Sequence, residues 1–180
     1  MNKVPTYSSI PKAWESANAI LQTRIDSIAT LANELEWTVE QKASNETRAS
    51  TSTYADDASL VFGVSAAGRY AFRAVVFFDT SAAADFKYQV QGPASPTLVR
   101  YEVKHIAPGT TAYAGQAVQT AFAQSTAIAG AGTTGGFVEI NGIVHNGVNG
   151  GIVRIQWAQN TLDASNTTVL AGSYLEWMQF

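Results

Sequence analysis

Alternating apolar and polar positions, the pattern of half-buried β-strands, run through most of the chain after residue 40. The strongest run lies at 69–78, where aromatic and β-branched residues fill both sets of alternate positions. At 97–105, Val99, Tyr101 and Val103 alternate with charged residues, which is typical of a strand with one face in water. About eight to ten short strands, separated by turn signals roughly every 8–12 residues, predict a mainly β fold, an antiparallel jelly-roll sandwich.

The last strand pattern, at 173–180, is apolar on both faces. Tyr174, Met178 and Phe180 point one way, and Leu175 and Trp177 point the other. A strand that is apolar on both faces is usually covered on both faces. In a small domain the second cover is expected to be another copy of the chain, so these five side chains are predicted to form a trimer interface or the core.

A helical period replaces the alternation at 12–39, a stretch without Gly or Pro. Apolar residues lie seven apart in this stretch, and Arg24 interrupts the intermediate heptad position. The spacing predicts one N-terminal α-helix that forms a short trimeric coiled coil of three imperfect heptads. The alternative is an amphipathic helix that packs on its own domain. The predicted helical interface residues are Trp14, Leu21, Ile28, Leu31 and Leu35.

The first eleven residues contain Pro5 and Pro11 and show no periodicity, so we expect an extended arm. The chain is thus predicted to comprise an arm at 1–11, a helix at 12–39 and a jelly-roll domain at 40–180. A core of adequate size can form in a chain of 180 residues without covalent links.

The composition of the chain argues against several kinds of partner and excludes every site that needs cysteine. Charged residues make up 14% of the chain and the net charge is −3, which argues against nucleic acid because phosphate binding requires a basic field. The absence of cysteine excludes disulfides, thiolate zinc sites and cysteine nucleophiles. Neither a signal-like N-terminal apolar run nor a stretch of about 18 apolar residues occurs, so no membrane partner is expected.

Candidate ligands for a metal ion are sparse. His105 and His145 do not lie in a spacing that favours a metal, and surface or interface imidazoles are the simpler interpretation. The Asp56-Asp57 pair, and Asp79 with Asp85, could offer oxygen ligands to calcium, but acids at strand ends are more often turn residues. We therefore expect no metal and no cofactor.

Other candidate sites are equally weak. The Gly-rich run at 129–136 lacks the GK[ST] sequence and precedes a strand, so it does not predict a phosphate-binding loop. Trp157, Trp177 and Tyr174 could stack on a sugar, although core or trimer-axis packing fits their strand pattern better. A Ser/His/Asp arrangement cannot be argued from spacing. We expect no catalytic residues and hence no enzyme.

A set of local motifs is spread through residues 40–180. They are Tyr70 and Phe72, Asp85, Phe86 and Lys87, Gly92 and Pro93, Gly142, the run 157–160 and the run 172–175. These motifs resemble a C-terminal domain of tailed-bacteriophage virion proteins, found in tail-fibre-like and capsid-decorating proteins. The resemblance implies a trimeric jelly roll similar to the heads of tumour necrosis factor and complement C1q.

This resemblance, with the heptads and the arm, predicts a non-enzymatic virion structural protein, assembled in the host cytoplasm. It would be a homotrimeric capsid decoration or cement protein, or a short head spike. The arm would dock on the major capsid protein or another virion protein through Val4, Pro5, Tyr7 and Ile10. The alternative is a tail-fibre tip that recognises host-surface carbohydrate through loops at 106–116 and 128–136. A glycan hydrolase is weaker, because its paired carboxylates cannot be identified.

Overall fold

A computed structural model describes residues 10–34, 36–130 and 135–180, without the side chains at 10, 11, 13 and 31–34. The chain divides into two compact units, Met1–Glu36 and Trp37–Phe180. The first unit contains helix α1, Ile10–Glu34, and the second contains the strands. The mainly β fold with one N-terminal helix is therefore confirmed.

The second unit contains short strands joined by tight turns. They are β1 (Thr38–Gln41), β2 (Glu46–Arg48), β3 (Ala55–Val64), β4 (Arg69–Thr80), β5 (Phe86–Gln91), β6 (Leu98–Ile106), β7 (Gly115–Gln119), β8 (Thr126–Ile128), β9 (Gly136–His145), β10 (Gly151–Gln159), β11 (Thr167–Val169) and β12 (Tyr174–Gln179).

These strands form two antiparallel sheets. The larger, eight-stranded sheet has the order β1-β12-β4-β9-β6-β7, with β11 also paired to β4 and β2 paired to β11. The smaller sheet has the order β3-β10-β5-β8. The chain passes repeatedly from one sheet to the other, which is compatible with the predicted jelly roll. The antiparallel sandwich is confirmed, and the trimeric coiled coil stays a prediction.

The hydrophobic core lies between the sheets and follows the period-two pattern. Alternate residues of β4, including Phe72 and Phe78, are buried against inward side chains of the smaller sheet. The ring centroids of Phe78 and Phe86 are 4.1 Å apart. Trp157 of β10 is fully buried in the same cluster. Burying each such side chain contributes about 1.5–3 kcal/mol, so the sandwich has a core of its own.

Two predicted boundaries are wrong. The helix ends at Glu34 rather than 39, because the β-branched Thr38 and Val39 pair with Trp177 and Glu176 as part of β1. The helix also starts at Ile10, inside the predicted arm.

The segment between β6 and β9 contains two short strands, β7 and β8, separated by a turn. The Gln124 side chain accepts hydrogen bonds from the amides of Thr120 and Ala121, and Ala123 has a φ of 60°. This local turn ends β7 at Gln119.

Candidate assembly surfaces

The apolar stripe of α1 is the clearest unsatisfied surface. Trp14, Leu21 and Ile28, spaced seven apart, are 68%, 56% and 66% exposed. Ile20 and Ile25 are also exposed and widen the stripe on its two sides. Large apolar side chains on one face of a helix normally lie against a partner surface. We name these five residues the α1 stripe. The predicted interface residue Leu35 lies outside the described residues, and the side chain of Leu31 is not described.

The C-terminal strand β12 divides its side chains between two environments. Leu175 is fully buried, and Trp177 is stacked on Phe62 with ring centroids 5.4 Å apart. Leu175 belongs to the core of the chain itself, and the partly buried Trp177 packs against that core. Tyr174 and Met178 are half-buried on the outer face of the larger sheet, and Phe180 is 55% exposed. The two predicted faces are therefore present, and only the outer face offers residues to a partner.

The centre of that outer face is charged. The guanidinium of Arg73 lies 3.2 Å from Glu139 and 3.5 Å from Glu176. It also lies 5.9 Å from the ring centroid of Tyr174. Partial burial lowers the pKa of Arg73, but Tyr174 and the two carboxylates outweigh this effect and raise the pKa above its ordinary value.

Apolar side chains lie on either side of this charge cluster. Phe77 and Phe137 are paired across β4 and β9, with ring centroids 5.7 Å apart. On the other side, Met178, Ala71 and Ile143 are neighbours in register. A partner that covered the whole face would have to desolvate the three charges, which costs free energy unless they stay paired. The outer face is therefore a less favourable interface than the α1 stripe.

Most of the predicted virion-docking residues precede the part of the chain that the structure describes. Val4, Pro5 and Tyr7 lie outside the described residues. Ile10 is the first residue of α1, and its side chain is not described. Docking through these residues stays a prediction.

An open groove of about 640 Å³ lies at one end of the sandwich. Its wall includes Gln91 and Arg100, together with the edge of the Phe122 ring. Gly92 is required beside that ring, because a Cβ at this position would lie 2.3 Å from it. Segments 91–100 and 120–122 line the groove, and among the described residues the predicted loops at 106–116 and 128–136 do not. The size is ordinary for a small-molecule site.

Most predicted chemical candidates have structural partners. Asp79 and Asp85 accept hydrogen bonds from the amides of Gly135 and Gly130, at 3.1 and 2.7 Å. Burial lowers the pKa of His105. His145 lies edge-on to Phe180, with ring centroids 6.2 Å apart. Within residues 10–34, 36–130 and 135–180, no three His, Asp or Glu side chains converge as a metal site.

Two further findings concern sugar stacking and membrane-spanning helices. The complete burial of Trp157 removes it from any sugar-stacking platform. In the described part of the chain, no helix combines the length and hydropathy needed to cross a membrane.

A buried charge cluster is the feature that the sequence analysis missed. Lys42 and Asp57 are 3% and 0% exposed, and Nζ of Lys42 lies 2.9 and 3.0 Å from the two carboxylate oxygens. The same Nζ donates to Glu46 at 2.7 Å. We name Lys42, Glu46 and Asp57 the buried triad; its third member, Glu46, lies at the edge of the cluster with its side chain 26% exposed. Its members come from different strands and a loop, so their spacing along the chain carried no signal.

Aromatic and cationic side chains enclose the triad. Nε1 of Trp157 donates to Oδ2 of Asp57 at 3.0 Å. Arg48 lies over the Trp157 ring, 3.8 Å from its centroid, and donates to Glu46 at 2.6 Å. Burial raises the pKa of Glu46, but hydrogen bonds from Lys42, Arg48 and the Ala58 amide outweigh this and hold the pKa below its ordinary value.

Comparisons with known proteins give no family. No family model matches the chain, and no curated protein matches it. One solved structure that is similar, a structure of infectious bursal disease virus of the Gt strain, is 8% identical. The alignment covers 81% of this chain and 41% of that chain, so this chain spans less than half of that protein. At a TM-score of 0.20, this likeness carries no inference about fold or function.

Proposed function

We propose that this chain is a non-enzymatic virion structural protein of a tailed bacteriophage. It acts as a homotrimer that decorates or cements the capsid, or projects from it as a short spike. The arm preceding α1 docks on the major capsid protein or on another virion protein.

The observation that carries the proposal is the exposed α1 stripe, in a chain whose sandwich has a core of its own. A helix in a protein gains most of its stability from packing its apolar face, and packing the α1 stripe against two further copies would remove the apolar surface from solvent. The seven-residue spacing favours copies of the same helix over an unrelated groove. The resemblance of residues 40–180 to phage virion domains supports the assignment to a virion.

Binding of the purified protein to capsids that lack it tests the proposal. We expect the protein to co-sediment with these capsids saturably. Tyr7→Asp should weaken the binding, whereas the matched control Ser8→Asp should not, because of these two neighbours only Tyr7 offers apolar contact area to the capsid. Failure of the full chain to bind any capsid preparation of its phage would exclude a decorating role.

The groove favours a second candidate, a fibre tip that binds host-surface carbohydrate. Gln91 and Arg100 offer hydrogen bonds, and Phe122 offers an aromatic edge, as is common in sugar sites. Arg100→Ala should abolish saturable binding to host cells. The control Lys104→Ala removes a cation from the same strand outside the groove lining. Equal binding by both variants would exclude this site.

A further inference from the structure

The buried triad has the composition and the contacts of a condensation site. A primary amine and a carboxyl group lie in direct contact in the interior, beside a second carboxylate that can move a proton. Nζ of Lys42 lies at nearly equal distances, 2.9 and 3.0 Å, from both oxygens of Asp57. The carboxyl carbon is bonded to both of those oxygens, so the nitrogen lies close to the atom that it would attack.

We propose that Lys42 and Asp57 form an intramolecular isopeptide bond, with Glu46 as the proton-transfer residue. The bond would join the segment after β1 to β3 covalently. The inference does not depend on the proposed virion role.

Burial provides a reason for the reaction to proceed. Keeping two opposite charges in the interior carries a desolvation cost that can exceed the gain from their attraction. Amide formation replaces both charges with one neutral group. Oriented groups in such contact also react with effective molarities on the order of 10⁵–10⁸ M, and a dry interior disfavours the reverse hydrolysis.

The reaction balances without an external reagent. One proton passes from the Lys42 ammonium to the Asp57 carboxylate, which leaves a free amine and a carboxylic acid. The nitrogen lone pair attacks the carboxyl carbon, and the Glu46 carboxylate accepts a proton from that nitrogen. Glu46 then gives the proton to the departing oxygen of Asp57 as the carbon–oxygen bond breaks. The products are one amide and one water molecule, and Glu46 is returned as a carboxylate.

The surroundings of Asp57 match this sequence of steps. The amides of Ser59 and Leu60 donate to Oδ1 at 3.0 and 3.2 Å, so they can stabilise the negative charge that develops there during attack. Nε1 of Trp157 contacts Oδ2, the oxygen that leaves. The Glu46 carboxylate accepts a hydrogen bond from Nζ of Lys42, so a base lies where the attacking nitrogen must lose a proton.

Intact mass spectrometry of the full chain under denaturing conditions tests the inference. We expect the wild-type mass to be lower than the sequence mass by one water molecule. Lys42→Arg, which keeps the cation but cannot form this amide, should have its full sequence mass. A wild-type chain of full sequence mass would overturn the proposal, whatever the variants do.

Two further readouts separate this bond from other water losses. Asp57→Asn should lose ammonia instead of water, so its bonded product should have the same mass as the bonded wild-type chain. Trypsin should release a branched peptide that joins residues 25–48 to 49–69, because the acylated Lys42 is no longer cleaved. Water loss found only in a linear peptide, as from a cyclised aspartate, would overturn the proposal.

Glu46→Gln tests the role given to Glu46. The side-chain amide of this variant cannot accept the proton. We therefore expect the variant to fold without forming the isopeptide bond between Lys42 and Asp57. The control Glu102→Gln removes a surface carboxylate that is paired with Lys104. The whole population of this variant should carry the isopeptide bond between Lys42 and Asp57. A fully bonded Glu46→Gln chain would remove Glu46 from the mechanism.

Discussion

At the scale of single residues, Lys42 shows how a polar side chain can be essential to a β-sandwich. Its backbone amide donates to Ser173, its carbonyl accepts from Gly172, and its ammonium contacts both carboxylates of the buried triad. It therefore links the segment after β1 to the turn before β12 and to β3. Removing Lys42 is costly with or without the proposed amide, because the buried Asp57 carboxylate then has no partner.

Lys42→Met should lower the free energy of unfolding by at least about 3–5 kcal/mol, since it removes both the cation and the proposed amide and leaves the Asp57 carboxylate buried without a partner. Denaturant unfolding measures the change. The control Lys104→Met breaks a surface pair with Glu102 and should cost less than about 1 kcal/mol. Equal losses in the two variants would contradict a special role for the triad.

The lowered pKa of Glu46 gives stability a pH dependence. A carboxylate whose pKa is lower in the folded state stabilises the fold fully above its ordinary value of 4.5, and this contribution is lost as the pH falls through the folded value. We expect the unfolding free energy to decrease below about pH 4.5, with a smaller slope in Glu46→Gln. Identical pH profiles for the two chains would show that Glu46 contributes nothing to this loss.

Trp177 stabilises the single chain rather than only an interface between chains. It is stacked on Phe62, and Tyr70 lies 6.0 Å from it. Trp177→Asp should reduce stability by at least about 3–5 kcal/mol, through lost packing and a charge placed against the core. Trp177→Phe retains the stack and should cost less, as measured by thermal unfolding. A stable, cooperative Trp177→Asp chain would contradict this packing.

At the scale of elements, α1 and the sandwich obey different patterns. The strands alternate because each sheet has one face in the core, and that core accepts the apolar residues of both sheets. The apolar residues of α1 instead follow a seven-residue period and remain exposed. A partner helix of the same sequence satisfies this geometry.

Leu21→Asp should dissociate the proposed trimer, because three copies of the charge would meet at one level of the stripe. Ala19→Asp introduces the same charge on the opposite side of α1 and serves as the matched control. Light scattering should give one chain, 19.1 kDa, for the first variant and 3 × 19.1 = 57.3 kDa for the second. A trimeric Leu21→Asp chain would show that the helix does not drive assembly.

At the scale of the whole molecule, the proposed trimer requires that one of the two units holds the copies together. The sandwich is a compact unit from Trp37 to Phe180 with its own core. Its outer face combines apolar side chains with the Arg73 charge cluster, which disfavours complete burial.

A fragment of residues 37–180 should therefore fold but scatter as a single chain, whereas the full chain should be trimeric. Circular dichroism checks that the fragment is folded, and light scattering gives its mass. A trimeric fragment would reverse the assignment and place the interface on the outer sheet face, with α1 as a spacer.

Local patterns predicted much of the fold. The alternation of β4, β6 and β9, and the heptads of α1, were sufficient to predict an antiparallel sandwich with one N-terminal helix, because these periods reflect which face of an element is covered. The helix boundary at 39 was wrong because Thr38 and Val39 gain a strand partner, β12, from the far end of the chain.

By itself, then, the sequence determined the class of fold, the faces of its strands and the apolar stripe of α1. Only the tertiary structure decided that Leu175 and Trp177 fill their own core, that segments 91–100 and 120–122 form a groove, and that Lys42 meets Asp57. Each of these depends on contacts between segments far apart in the chain. The local hydrophobic period predicts that a side chain is buried. Which residues bury it depends on the order in which the strands pair.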